Sequence, residues 1–597
     1  MENFISETKI YYLHLICCND NQTFRERFKI DNNMKQLIEC VPNFSEGRNP
    51  EVIAQITREI ETVEGVKLID VDPGKATNRT VVTFVGTPEE VCEAAFRAAK
   101  KAIELIDMRV HKGEHPRFGA IDVCPLVPIA NITMEETVKY AHKLAKRFGE
   151  ELAIPIYCYE FAATEEKRRN LANNRQGEYE GLPQKITAPE WKPDFGPDKW
   201  SENVARTGAT AVGARNFLIA YNVNLNTTSV RRANSVAYDV RERGRVKREG
   251  DPITGKQVKD ANGNVVYEPG LLKAVKGIGW FIEEYGIAQI SMNLTDITIT
   301  PLHVAFDTVC ERATARGLRV TGSELVGVIP LQSMLDAGKY FLKKQKRSTG
   351  LTDEEIIKIA VKSMGLEELT PFDPKKKIIE YLLEAENPKS LVKLSCEGFA
   401  NKTASEEPAP GGGSVSAYLA ALGVSLGTMV ANLSSHKRGW DDRWEEFSEY
   451  AERGMTLQKQ LLTLVDEDTN AFNAIMDAFS LPKSNEPEKA ARTKAIHDAT
   501  INAIEIPFKV MKLAYDCFDI LEYMAKEGNP NSVSDAGVGV LCIRSAVMGA
   551  YLNVIINAAE VKDDPTAKDL VEKGAEIEKN AIKREGEILE IVKSKIV

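Results

Sequence analysis

A chain of 597 residues holds several domain-sized units, since single domains run to roughly 100–200 residues. Its 43% hydrophobic and 27% charged content is ordinary for a globular protein in water. A net charge of −10, from 77 basic against 87 acidic residues, argues against nucleic acid as the main partner, because phosphate binding needs a basic surface.

In chain order, residues 1–33 read as an upstream extension. Their apolar run "IYYLHLICC" follows acidic residues, lacks a small-residue cleavage pattern and is too short to span a bilayer. Met34 opens a strand-like stretch, "MKQLIECVPNF". From there to about Phe341, β-rich runs such as "RTVVTFVG" and "AIDVCPLVPI" alternate with helical periods such as "PEEVCEAAFRAAKKAIELI". The order βαββαβ predicts a sheet with helices on one face, and it occurs twice. Two α/β subdomains of ferredoxin-like build are therefore expected, at 34–217 and 218–383. Two polar stretches interrupt them. One runs from "QGEYEG" to "ARTGAT" without periodicity, and a loop that long is usually functional or disordered. The other, 247–269, contains Asp-Ala-Asn-Gly-Asn and predicts a surface hairpin insertion. Thr352 should cap a helix. Residues 384–391 form a linker, and 392–597 have helical period nearly throughout, which predicts an all-α bundle.

The ten cysteines include no CxxC pair, so neither a zinc ribbon nor a disulfide framework is expected. Most lie in apolar surroundings, as reduced, buried thiols do. This points to a cytoplasmic protein.

In "HKGEHPRFGAIDVCP", His111 and His115 have the spacing of two zinc ligands on one helix face. Gly113 lies between them, however, and Pro116 pushes His115 out of the α region. The stretch is a loop entering a strand, and no metal is expected; His142 reads as a helix-surface residue. A packed structural histidine is the plain alternative. The crowding of Glu114, His115, Arg117 and Asp122 before a strand favours a functional loop, where a histidine could move protons and an arginine could clamp a carboxylate. A second acidic loop, "LIDVDPGKATNRT", offers Asp70, Asp72, Asn78 and Arg79. Asp72 there could equally start a turn at Pro73-Gly74.

In the helical part, "PAPGGGSVSAYL" leaves free N–H groups at a helix start, which is either an anion site or plain helix entry. Val415–Leu433 carries no charge and contains Gly423 and Gly427 in GxxxG spacing. A membrane span is conceivable; a buried helix packed through small residues is expected instead, with no second span. In "LLTLVDEDTNAFNAIMDAF", Asp468 shares a helix face with Leu461, Leu464 and Val465, where burial would raise its pKa. A solvated charge run is the alternative. "EGNPNSVSDAG" opens another helix, with Ser534 or Asp535 as its expected N-cap.

"ECVPNFSEGR", "DVDPGKATNRTV", "HKGEHPRFGAIDVCP", "WKPDFGP" and "TGATAVGARNFLIAYN" resemble the formimidoyltransferase domain of glutamate formimidoyltransferases. The resemblance continues through "GIGWFIEEYGIAQISMNLTD". It implies a folate groove between two α/β subdomains, with His115 as the acid–base catalyst assisted by Arg117 and Asp72. It also implies folate contacts within Gly196–Gly208, at Gly196, Pro197, Asp198, Lys199, Thr207 and Gly208. "PGGGSV", "LVDEDTNAF" and "GNPNSVSDAG" are similar to formimidoyltetrahydrofolate cyclodeaminases. They imply an acid–base role for Asp468 and substrate contacts at Gly411, Gly412, Gly413, Ser414 and Asp535. The order resembles the bifunctional formimidoyltransferase–cyclodeaminase family across 34–597, apart from the 247–269 insertion. That family implies tetrahydrofolate as co-substrate, with or without a polyglutamate tail, and N-formimidoyl-L-glutamate as donor. It implies no metal, no membrane and a ring-shaped homo-oligomer. The rivals are a single-activity transferase with a helical assembly scaffold, and a metal-dependent hydrolase on His111 and His115.

Overall fold

A computed structural model of the chain describes residues 36–74, 78–113, 117–251, 254–283, 285–384 and 390–596. The extension at 1–33 lies outside them. The described residues form two compact units. One runs to Val320 and includes Leu325–Pro330; the other comprises Thr321–Glu324 and everything from Leu331 onward.

The first unit holds the first α/β lobe and most of the second. Lobe one contains β1 (Leu37–Cys40), β2 (Asn43–Phe44), α1 (Pro50–Glu61), β3 (Lys67–Gly74), β4 (Arg79–Gly86), α2 (Pro88–Leu105), β5 (Ile121–Ala130), α3 (Met134–Glu151), β6 (Ile156–Glu160) and β7 (Thr210–Ala214). β1 and β2 act as one broken strand between β4 and β5, and β3 pairs only with β4. This is the predicted βαββαβ sheet; β7 and β6 extend it in parallel. Local sequence explains the helices. Asn49 accepts from the backbone N–H groups of Glu51 and Val52. Thr87 with Glu90 and Thr133 with Glu136 form capping boxes that satisfy donors left open at each helix start. Ile38, Cys40, Phe84, Leu126, Ala141 and Phe148 build the core between sheet and helices.

Lobe two repeats the plan with β8 (Ile219–Leu225), α4 (Val230–Val240), β9 (Val275–Ile282), β10 (Ile287–Leu294), α5 (Leu302–Thr314) and β11 (Val320–Val326), in sheet order β9-β10-β8-β11. The 247–269 segment forms the short ladders Arg248–Gln257 and Val246–Tyr267, as a hairpin insertion should. The long polar stretch after β6 is largely turns and short helices, among them Leu182–Lys185 and Glu202–Thr207.

The second unit begins with α6 (Leu331–Lys344) and α7 (Asp353–Met364). Thr352 caps α7 through a box with Glu355, and Gly365 ends it in the left-handed region. The turn between these helices docks on the bundle: Thr349 N–H donates to Ser448 Oγ at 3.0 Å, and Asn432 donates to Gly350 O at 2.8 Å. Five long helices follow among the described residues: α8 (Gly412–Ser435), α9 (Trp444–Ser480), α10 (Glu486–Glu527), α11 (Val533–Ala558) and α12 (Pro565–Ile596). The GxxxG pair works as expected. A Cβ on Gly423 would press on Gly539 O and Ile543, and one on Gly427 on Leu521, so α8 packs closely against α10 and α11.

Two expectations change here. α11 starts at Val533 with Ser532 at its cap, so Asp535 lies in the first turn; Ser534 and Asp535 are not the cap. A second helix long and apolar enough to cross a membrane is also present, within Pro530–Val561, beside Gly412–Ser435. In the sequence its apolar run is interrupted by the charges of Asp535 and Arg544. Of the cysteines, Cys40, Cys92, Cys124, Cys158 and Cys517 are buried and unbridged, and Cys396 is exposed.

Two candidate active sites

Four segments meet at one end of the seven-stranded sheet: Ser45–Arg48, the facing ends of β3 and β4 at Gly74 and Asn78, Lys112 with Phe118–Ala120, and Thr207–Ala209. Glycines let them touch. A Cβ on Gly47 would collide with Gly74 O and Arg79 N, one on Gly119 with Ala209 O, and one on Gly208, at φ +67°, with Phe118 O. Asn78, buried at φ +49°, ties three of these segments. Its Oδ1 accepts from Gly47 N–H at 3.0 Å, its Nδ2 donates to Lys112 O at 2.9 Å, and its carbonyl faces His111 Nε2 at 2.8 Å. His111 Nε2 must therefore carry the proton. Burial pushes its pKa below the usual histidine value, which leaves the ring neutral at pH 7. His111 thus anchors the loop.

Glu114, His115 and Pro116 lie outside the described residues. Arg117, just after them, is already engaged. It pairs with Glu180, donates to Met108 O at 3.4 Å and lies over the Tyr179 ring at 5.3 Å. Glu180, whose side chain is 60% exposed, is the carboxylate that Arg117 holds in this structure. Asp72 is exposed on edge strand β3, opposite Val81. The strand runs on through Pro73 to Gly74, so Asp72 does not start a turn there. His142, read as a surface residue, is half-buried and bonds Ala162 O through Nε2.

In the expected folate segment, Thr207 O accepts from Ala120 N–H at 2.7 Å and Gly208 bridges Gly119, so both border Gly119 and Ala120. Gly196, at φ +82°, packs on Ile154 O beyond edge strand β6. Trp200, next after Pro197, Asp198 and Lys199, has its ring 6.0 Å from that of Tyr179, whose N–H bonds Arg117 O. Asp198 there pairs with Lys192 at 3.1 Å.

Beside Ala120 sits a charge cluster that the sequence only half disclosed. Phe44 faces Ile121 and Asn43 faces Val123, so Asp122 is the extra residue of a β-bulge, a device that re-aims side chains beside functional sites. Asp122 is fully buried and holds Arg79 at 3.3 Å and Arg175 through two nitrogens. Buried Glu39 feels the charge of Arg215, and burial pushes its carboxyl up to about 7 against that pull.

In the helical unit, α8 has Gly411 at its cap and no side-chain cap bond. Asp468 from α9 takes that place. Its Oδ2 accepts from Ser414 Oγ at 2.9 Å, and its carboxylate also accepts from the Ser414 backbone. A Cβ on Gly413 would overlap Asp468 Oδ1, so glycine is what lets the acid approach. Thr469 Oγ1 lies 3.2 Å from Ser414 Oγ, and Asn553 of α11 lies beside Gly412. Burial raises the Asp468 pKa while the Ser414 bonds oppose it. The apolar face carries Asp468 as expected, and the solvated alternative fails. Asp466, two residues away, instead accepts from Ser390 and from Leu391 N–H, both at 2.7 Å. Asp535 does not join this site. α8 and α11 run antiparallel, Gly412 facing Asn553 and Gly423 facing Gly539, so Asp535 lies 18 residues along α11 from Asn553, about 27 Å at 1.5 Å per residue. Among the described residues, no group of three or more His, Cys, Asp or Glu side chains could hold a metal ion.

The N-terminal subdomain of the formiminotransferase domain matches residues 37–215, the formiminotransferase domain matches 220–384, and formiminotransferase-cyclodeaminase matches 395–576. The chain is similar to formimidoyltransferase-cyclodeaminase of Gallus gallus, with 44% identity over 532 residues, 89% of this chain and 94% of that protein. The chain belongs to the formimidoyltransferase-cyclodeaminase family. The protein of that name from Dictyostelium discoideum is 41% identical over 565 residues, 94% of this chain and its own full length. The glutamate formimidoyltransferase of Thermoplasma acidophilum is 41% identical over 309 residues, 51% of this chain and 92% of that protein.

In this member of the family, local sequence pattern does not disclose Arg175, Arg215, Tyr159 and Glu39 in the first site or Asn553 in the second. Arg175 lies in "NNRQGEYEG", where nothing periodic marks it. Glu39 offered a signal, an acid inside the apolar strand "LIEC". It also carries a prediction. Below pH 4.5, its ordinary value, folded and unfolded chains both hold the proton. Between there and about 7 only the folded chain does, so stability falls as pH rises. Above that the cost is complete, on the order of 3 kcal/mol at 1.36 kcal/mol per pH unit. Glu39→Gln should therefore raise Tm at pH 8 and leave it unchanged at pH 4, read by thermal unfolding across pH. In the second site, Gly413→Ala should cut ammonia release at least tenfold by displacing Asp468, with the far-UV CD spectrum and glutamate release unchanged.

Proposed function

We propose that this chain carries both reactions of its family. Its first unit transfers the formimidoyl group of N-formimidoyl-L-glutamate to N5 of tetrahydrofolate and releases glutamate. Its helical unit then cyclises 5-formimidoyltetrahydrofolate to 5,10-methenyltetrahydrofolate and releases ammonia, so the chain serves histidine breakdown. The observation that carries the second activity is Asp468, buried at the start of α8 with its carboxylate bonded to Ser414.

In the transfer, the N5 lone pair attacks the amidine-like carbon and a tetrahedral intermediate forms. A base takes the N5 proton and returns it to the glutamate nitrogen as the C–N bond breaks. Such a shuttle needs a pKa near the working pH, and a histidine at ~6.5 suits both steps. His115 is the group proposed for it. Asp72 and Arg117 are the residues proposed to assist it. In the cyclisation, N10 attacks the carbon of the protonated formimidoyl group, its proton passes to the departing nitrogen, and that nitrogen leaves as ammonia with the positive charge retained on the methenyl product. The step is intramolecular, so holding the two folate nitrogens in register supplies much of the rate. Asp468 takes and returns the proton. Its raised pKa brings proton affinity closer to neutral, which suits both duties.

The folate is proposed to be accepted with or without a polyglutamate tail. The chain is proposed to work in the cytoplasm as a ring-shaped homo-oligomer, binding neither nucleic acid nor membrane and needing no metal. Exposed apolar side chains on α8 and α11, among them Leu422, Leu433, Leu552 and Ile556, fit burial against a second copy. An assay with N-formimidoyl-L-glutamate and tetrahydrofolate, following glutamate, ammonia and methenyltetrahydrofolate together, tests both halves. Glutamate release without ammonia would leave the helical unit as a scaffold only. Sedimentation without detergent tests assembly, and a monomer would sink the ring.

A further inference from the structure

Lys185 is a buried ammonium that neither proposed reaction uses. It is 9% exposed and ends the short helix Leu182–Lys185. Its Nζ donates to Asn173 O at 3.0 Å, Asn174 O at 2.7 Å and Gln176 O at 3.2 Å, which satisfies all the donors an ammonium has. The Trp191 ring lies 4.2 Å from it, and the rings of Phe118 and Tyr157 lie 5.9 Å away. Burial, with the Arg168 guanidinium nearby, pulls its pKa down to about 8, which leaves it charged at pH 7. An apolar side chain of similar length would fill this space without taking an ammonium out of water. What only the ammonium does is gather three carbonyls across the end of the helix Leu171–Asn174 and fix the turn that follows it. That turn leads to the loop that carries His115. Tyr179 N–H donates to Arg117 O at 2.9 Å, and Glu180 pairs with the Arg117 guanidinium. The Tyr179 ring lies 5.3 Å from that guanidinium and 6.0 Å from the ring of Trp200, inside the expected folate segment. Phe118, whose ring Lys185 faces, follows Arg117 directly. A shift of the 173–185 segment therefore moves the loop exit at Arg117 and the folate side at Trp200 together.

We propose that Lys185 is a positioning residue for formimidoyl transfer, holding the 173–185 segment so that Tyr179 keeps Arg117 and Trp200 in register. This rests on the transferase reading above. The test uses the full chain. Glutamate release, and ammonia release from supplied 5-formimidoyltetrahydrofolate, are read on the same preparation at a temperature where thermal unfolding shows each variant folded. K185M should cut kcat for glutamate release about 10- to 100-fold, the scale of a misplacement near 1 Å, with ammonia release at the wild-type rate. K185Q, whose amide keeps two donors, should fall between wild type and K185M. R117M should mask the effect. K185M added to R117M should change kcat by less than about twofold, because the two residues act through one contact. A K185M chain with wild-type kcat and only a lowered Tm, or losses that multiply in the double variant, would overturn the assignment. If K185M fails to fold, K185Q carries the same comparison. A K185Q chain that also fails to fold would make Lys185 a folding residue and overturn the assignment as well. Failure of the wild-type chain to release glutamate would instead overturn the transferase reading.

Discussion

Asp468→Asn is expected to abolish ammonia release while glutamate release continues, so that 5-formimidoyltetrahydrofolate accumulates. The carboxylate sits at an otherwise uncapped helix start, 2.9 Å from Ser414 Oγ, and the amide that replaces it keeps the size and can still bond Ser414. What it loses is the ability to take the N10 proton and return it to the departing nitrogen. Positioned acid–base catalysis contributes about 10²–10⁴-fold, so a loss of that order in kcat is expected for the cyclisation. The pH dependence carries a second sign. Burial raises the Asp468 pKa, so the acid limb of ammonia release should lie above the ordinary aspartate range. Unchanged ammonia release in the variant would remove the second catalytic centre and leave the helical unit as a scaffold.

His115→Ala is expected to have the complementary effect. Glutamate release from N-formimidoyl-L-glutamate should fall by about 10²–10⁴-fold, while ammonia release from supplied 5-formimidoyltetrahydrofolate stays at the wild-type level. The fold should tolerate the change, because the loop is held by other groups. His111 is fixed to the Asn78 carbonyl, Lys112 O accepts from Asn78, and Tyr179 N–H donates to Arg117 O at 2.9 Å. His111→Ala offers the contrast. It removes an anchor whose ring is neutral at pH 7, so it should loosen the loop and raise KM without removing the pH limb set by His115. If both variants lost activity equally with the same pH profile, His115 would be a structural residue.

Much of this could be read from the linear chain, for a physical reason. Periodicity and capping act over a few residues, so "PEEVCEAAFRAAKKAIELI" specifies a helix and Thr352 with Glu355 starts one, wherever they pack. The doubled βαββαβ order follows from such local signals, and so does the placement of Asp468 on an apolar helix face. Gly113 and Pro116 likewise argue locally against a helical metal pair. Tertiary structure decided which of these pieces meet. Ser414 and Asp468 are 54 residues apart and drew two separate expectations, an anion site and a buried acid; packing of α9 on α8 makes them one site. Asp535 drew the same expectation but sits at the far end of antiparallel helices. Arg117 belongs to Glu180, 63 residues on, and Arg175 reaches Asp122 across 53. Charge pairing between distant segments leaves no trace in local pattern, because it is chosen by the packed geometry and not by the neighbours of either residue.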